Sequence, residues 1–283
     1  MWGVSDATWT LSGFGDEIDP DPGVQAAVLQ ALGASSIEVR SAWRTNVVEL
    51  DDDGLDRLAT VLERRGMRVS AIASPIGKVD VSLPVEHELG RLDRAIAAAR
   101  RLDARYIRVF SFYRPDGVPA GDVRDDVLFR MRALASAAEA AGVVLLHENE
   151  KEIYGDTPER CLDIVESVGS PALRLAWDSA NFVQVGVARP FDDGYGMLRP
   201  HLEYLQVKDA LAATGEVTPA GEGDGQLLET LTALRDDGYR GYASLEPHLT
   251  DVDALGGSSG PAAFGVAARA FRRLTDRIGV ALA

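Results

Sequence analysis

Four short apolar runs in the second half of the chain end abruptly in groups able to do acid–base or ligand chemistry. GVVLLHENE ends in His147, Glu148 and Asn149, LRLAWDSAN ends in Asp178, and YASLEPHL ends in Glu246 with His248 close behind. YLQVKDA sets Gln206 and Lys208 two residues apart, on one face of an extended strand, with Asp209 on the other. One acid at the end of a strand is commonly a helix N-cap or a solvated loop residue. Three carboxylates in one pocket repel when ionised, so either some hold protons or a cation sits among them. A divalent cation is the simpler solution. Oxygen donors with no cysteine or histidine directly bound favour Mg²⁺ or Mn²⁺, with Co²⁺ or Zn²⁺ as alternatives.

Such residues converge only if the strands that carry them are neighbours. Short apolar runs alternate eight times with longer segments of helical period. The predicted strands are Thr8–Phe14, Ser36–Arg40, Arg68–Ala73, Tyr106–Phe110, Val143–Glu148, Leu173–Asp178, Leu202–Lys208 and Tyr242–Glu246. The predicted helices cover Pro22–Leu32, Gly54–Arg65, Val85–Leu102, Val123–Ala141, Pro158–Val168, Phe191–Arg199, Gln226–Asp237 and Pro261–Ile278. Gly33, Gly66, Gly142 and Gly238 fall just past helices, where a left-handed residue stops them, and Thr157-Pro158 offers an N-cap followed by proline in the first turn. Eight strand–helix units without a linker predict a single α/β domain over residues 1–283, a closed (β/α)₈ TIM barrel. An open doubly wound sheet is the alternative, because strand order is not visible in one sequence. In a barrel, chemistry is built on the C-terminal strand ends and the loops that follow them.

Composition narrows the partners. Among 283 residues, 29 Lys plus Arg stand against 44 Asp plus Glu, a net charge of −15 that repels nucleic acid and anionic membrane surfaces. No apolar stretch approaches the roughly 20 residues needed to cross a bilayer, and MWGVSDATWTLSG lacks a basic then apolar start, so a cytoplasmic location is expected. The single cysteine, Cys161, sits at core phase in ERCLDIV and is expected to be an inert buried thiol.

The ordered set of motifs resembles the xylose-isomerase-like barrels, which include sugar phosphate isomerases/epimerases, ketose 3-epimerases, hydroxypyruvate isomerase and keto-inositol dehydratase. It is carried by E-N after strand five, D-x-x-N from Asp178 to Asn181, Q-V-K-D from Gln206 to Asp209, G-E-G-D from Gly221 to Asp224, and S-L-E-P from Ser244 to Pro247. GDEID, IEVRSAWRTNV and SPIGK in the first half look like one uncharacterised branch. The resemblance implies one divalent metal held by Glu148, Asp178, Gln206 and Glu246, with Glu148 and Glu246 also transferring protons. Many members have histidine where Gln206 stands, which argues against a 3-epimerase more than against metal binding.

A metal bound to adjacent carbonyl and hydroxyl oxygens of a keto sugar acidifies the C–H between them, and an enediolate results. Returning the proton to the neighbouring carbon isomerises, returning it to the opposite face epimerises, and losing a β-hydroxyl dehydrates. The leading expectation is therefore a metal-dependent isomerase or epimerase, with a lyase of the keto-inositol type next. A non-catalytic sugar-binding barrel is a further alternative. A zinc-dependent DNA-repair endonuclease fits poorly with four histidines and the acidic charge. Related barrels are often homo-oligomers, by analogy alone.

Candidate substrate contacts follow from topology. Glu38, Arg40, Trp43, Asn46 and Ser74 belong to the rim, and Asn181 closes the D-x-x-N motif. Lys78 and Lys208 are two of only three lysines in a chain otherwise using arginine, so each suggests a compact ammonium near an oxyanion, with Lys208 equally able to pair with Glu148 or Glu246. His147 and His248 either bind substrate or orient those glutamates. In AGEGDGQ, Glu222 and Asp224 argue against a phosphate cradle, so an unphosphorylated, hydroxyl-rich substrate hydrogen-bonded by Glu222 is expected, the alternative being a plain turn with Asp224 as N-cap. Trp177 should point out toward the helices by alternation.

Overall fold

The apolar runs form strands because each alternates one row of side chains toward the barrel interior with another toward the surrounding helices. The computed structural model describes residues 7–249, 252–253, 256–257 and 259–283. The barrel strands are β1 (Ala7–Gly13), β2 (Ser36–Val39), β3 (Arg68–Ile72), β4 (Tyr106–Val109), β5 (Val144–Glu148), β6 (Leu173–Asp178), β7 (Leu202–Val207) and β8 (Tyr242–Leu245). Neighbours in sequence pair in parallel from β2 through to β8, and β8 pairs with β1, Thr10 opposite Tyr242. A parallel bridge between Phe14 and Glu38 joins the end of β1 to β2, so the sheet closes and the open doubly wound arrangement is excluded. A ninth strand, β9 (Val280–Leu282), pairs with Ala7–Trp9 at the opposite end of β1.

The helices are α1 (Pro22–Ala31), α2 (Asp52–Arg64), α3 (Val85–Arg101), α4 (Ala120–Ala141), α5 (Pro158–Val168), α6 (Ser179–Gln184), α7 (Leu227–Asp236) and α8 (Gly260–Ile278). The four glycines expected to stop helices all take positive φ, from 62° at Gly66 to 82° at Gly33. Thr157 precedes α5 but makes no side-chain cap bond. The helix expected over Phe191–Arg199 is broken into a π-helical turn at Phe191–Tyr195, a short α-turn at Gly196–Leu198 and a 3₁₀ turn at Arg199–His201. Close packing contributes to this: a Cβ on Gly194 would lie 2.8 Å from the Pro158 ring. α6 was not expected; the Asp178 side chain starts it by accepting the Asn181 N–H.

Most apolar side chains fill the layer between strands and helices, where Trp177 packs edge-on to Phe182 and Tyr195 as alternation predicts. A smaller cluster of Ala71, Leu146, Ala176 and Tyr204, with Tyr106 and Tyr242 against it, plugs the barrel. Above that plug the inward rows turn polar, two residues further along each strand: Arg108 after Tyr106, Glu148 after Leu146, Asp178 after Ala176, Gln206 after Tyr204. The pleat thus delivers the chemistry to one end. No helix among the described residues is long and apolar enough to cross a membrane.

Candidate active site

Glu148, Asp178 and Glu246 are each no more than 3% exposed, and one carboxylate oxygen from each lies within 4.8 Å of the others. Gln206 is opposite Asp178 in register and equally buried. Its Nε2 donates to Glu38 at 3.2 Å, while its Oε1 has no hydrogen-bond partner among the described residues. A buried amide oxygen without a donor beside three convergent carboxylates fits a hard divalent cation. Glu148, Asp178, Gln206 and Glu246 are the residues that could hold it.

Protein cations surround the acids. Lys208 Nζ lies 2.9 Å from Asp178 Oδ2 and 3.0 Å from Glu246 Oε2. Arg108 Nη1 lies 3.1 Å from Glu148 Oε2 and 3.8 Å from Glu246 Oε1, with its guanidinium over the rings of Phe14 and Phe110. Arg40 reaches Glu246 at 3.3 Å and Asp16 at 2.8 Å. These environments separate the carboxyl groups. Burial pushes the Glu148 pKa upward, reinforced by the charges of Glu246 and Asp178 and only partly countered by Arg108. Burial works the same way on Glu246, but Lys208, His248, Arg108 and Arg40 together outweigh it and hold that carboxyl below its ordinary range. Burial raises Asp178 as well, against the opposing Lys208 charge.

Around these groups, amides hold the backbone in place. Asn149 Nδ2 donates to the Asp178 carbonyl (2.8 Å), and Asn149 Oδ1 accepts from the Asp178 N–H (3.0 Å). Asn181, a candidate substrate contact, instead donates to Glu148 Oε1 at 3.3 Å and to the Asn149 carbonyl at 2.8 Å. Glu38 accepts from Tyr204 and Gln206 beneath the acids. Ser74 donates to the Arg108 carbonyl at 2.5 Å and fixes that strand. Lys78 is at the rim, 2.9 Å from Glu150 and over the Phe110 ring. His248, at φ 43°, places Nε2 3.1 Å from Glu17 and 3.5 Å from Glu246. Trp43 carries the Arg57 guanidinium on its ring.

Two candidates are not brought to the mouth. His147 is fully buried, and its phase with Leu145 turns it into the helix layer beside Cys161, Trp177 and Phe182. Both ring nitrogens lack partners among the described residues, and burial pushes its pKa down to about 3. A strand end pointing one neighbour inward must point the next outward, so His147 and Glu148 cannot both face the mouth. Glu222 is on the exterior, 3.2 Å from Arg273 of α8. Its loop wraps an internal acid instead: Asp209 accepts the N–H groups of Ala210, Gly221, Gly223 and Gly225 at 2.9–3.1 Å. Asp224 is no N-cap; its Oδ2 accepts the Ala212 N–H at 2.7 Å. Cys161 is buried, with its thiol raised in pKa by burial.

Sequence reasoning missed Arg108 and the roles of Asp16, Glu17 and Asn149. An arginine in phase with Tyr106 inside the run YIRVF was a readable signal for the first. Glu17 stands in the GDEID motif, but nothing local marked its role: it accepts the His248 N–H and the Ser259 hydroxyl across 231 and 242 residues of chain.

A closed eight-stranded α/β barrel with an acid cluster at its C-terminal mouth defines the class, that of the (β/α)₈ TIM barrels. Within it, the chain belongs to the xylose isomerase-like TIM barrel family, whose family model matches residues 26–274. A 2-epi-5-epi-valiolone 7-phosphate 2-epimerase of Actinoplanes sp. is 31% identical over 231 residues, 73% of this chain and 79% of the relative. A solved D-tagatose 3-epimerase-like protein superimposes with TM-score 0.76 at 17% identity, covering 95% of this chain and 98% of that one. A xylose isomerase-like barrel of Mycobacterium smegmatis, solved in complex with magnesium, gives TM-score 0.70 at 20% identity over 98% of this chain and 100% of the other. Family and relative together mark the chain as sugar isomerase/epimerase-like.

Proposed function

We propose that the protein is a divalent-metal-dependent isomerase or epimerase of a small unphosphorylated keto sugar or a related polyol carbonyl compound. The convergence of Glu148, Asp178 and Glu246 beside the unpartnered Gln206 Oε1 carries the reading. The bound ion would supply Lewis-acid polarisation of adjacent carbonyl and hydroxyl oxygens, acidifying the C–H between them. Glu148 and Glu246, carried by non-adjacent strands and converging on the same point, are the two carboxylates placed to take and return the proton. Arg108, buried beside Glu148, supplies fixed positive charge for the oxyanion that develops. The named epimerase relative supports this chemistry. The unphosphorylated substrate is supported by the glycine-rich loop, whose N–H groups are already spent on the Asp209 carboxylate.

The test is incubation with Mn²⁺ and a panel of keto sugars, polyol ketones and their phosphate esters in deuterated water. Deuterium in a recovered isomer or epimer of an unphosphorylated compound is expected, and Glu246→Gln should lower that turnover by about 10²–10⁴-fold while the protein stays folded. A new chromophore in place of exchange would mean dehydration. Exchange only with phosphate esters would overturn the substrate assignment, and no reaction across the panel would overturn the enzymatic one.

A further inference from the structure

Lys208 is 4% exposed, and its ammonium stands about 3 Å from oxygens of two of the three carboxylates a metal would need. The other oxygens of the cluster are engaged too. Asp178 Oδ1 accepts the Asn181 N–H at 3.0 Å, and Glu148 Oε1 accepts Asn181 Nδ2 at 3.3 Å. Glu148 Oε2 faces Arg108 at 3.1 Å, and Glu246 Oε1 faces Arg40 at 3.3 Å. Every carboxylate oxygen in the cluster therefore already has a donor or a cation of the protein beside it. Only Gln206 Oε1, which brings no charge, has none among the described residues.

A hard divalent ion takes oxygen ligands at about 2.0–2.6 Å. An ammonium hydrogen-bonded to Asp178 Oδ2 and Glu246 Oε2 competes for the same lone pairs and repels the incoming charge in a medium that screens poorly. We propose that Lys208 is the resident counter-ion of this cluster, and that its ammonium and a divalent cation are alternative occupants of the Asp178–Glu246 pair. The inference rests on the metal reading above. It makes Lys208 a positioning residue that keeps the acids together without the ion and gives way when the ion arrives. In the metal-free protein the lysine offsets a like-charge repulsion that would otherwise open the site.

Mn²⁺ calorimetry on the full chain tests this, with thermal melts followed by circular dichroism, comparing wild type with Lys208→Met and Lys208→Gln. Both variants should bind Mn²⁺ at least roughly tenfold more tightly than wild type. Their metal-free melting temperatures should fall, and added Mn²⁺ should raise them by more than it raises wild type. If Lys208→Met does not fold without metal, the glutamine variant carries the comparison. Wild type binding Mn²⁺ with both variants equal or weaker would show that Lys208 only orders the ligands, overturning the inference and leaving the metal reading intact. Folded proteins that all fail to bind Mn²⁺ would overturn both.

Discussion

His147 should make the fold acid-sensitive in a way that one substitution removes. Its imidazole is completely buried against Cys161, Leu175, Trp177 and Phe182, and neither nitrogen has a partner among the described residues. Burial alone depresses its pKa from 6.5 to about 3. Above the unfolded value both states are neutral and the residue contributes no pH dependence. As pH falls from 6.5 toward 3, the unfolded chain takes a proton that the folded one refuses, so stability is lost on acidification. At about pH 5 the linkage amounts to about 2 kcal/mol, rising to about 4 kcal/mol at the folded pKa. Other groups titrate in the same range, so the measured quantity is a difference of differences. Urea unfolding at about pH 8 and about pH 5 gives the acid loss for wild type and for His147→Leu, and the wild-type loss should exceed the variant's by about 2 kcal/mol. Equal losses would mean that His147 is protonated or partnered in the folded protein, and the burial argument would fail.

Four further outcomes follow from the same geometry. Arg108→Met leaves Glu148 without its buried cation and should cost about 3–5 kcal/mol in denaturant unfolding; a loss under about 1 kcal/mol would show that the pair is not buried as described. Asp209→Ala strips the acceptor from four backbone N–H groups of the loop after β7, and should destabilise by about 2–4 kcal/mol and open that loop to hydrogen exchange. Gly223→Ala, whose Cβ would lie 2.5 Å from Asp209 Oδ1, should reproduce part of that effect. Glu222→Gln, in contrast, loses only an exposed pair with Arg273 and should alter stability by less than about 0.5 kcal/mol and turnover by less than about twofold; a large loss of turnover would restore Glu222 to the site.

The sequence by itself determined the strand–helix alternation, because pleated and helical periods are local properties that survive in the order of apolar residues. It also determined which acids stand at strand ends: Glu148, Asp178 and Glu246 are legible as abrupt polar stops after apolar runs. The broken segment from Phe191 to His201 was not legible, since its pattern is helical and the packing of Gly194 against Pro158 and Trp177 comes from 36 residues upstream and 17 upstream respectively. Only the tertiary structure decided which charges meet. Arg108 reaches Glu246 from the other side of the barrel, Glu17 holds His248 across most of the chain, and the loop expected to offer Glu222 to a substrate closes its N–H groups on Asp209 instead. Barrel closure brings the ends of distant strands within hydrogen-bond reach, and burial then sets their protonation. Neither distance nor dielectric is written in local sequence.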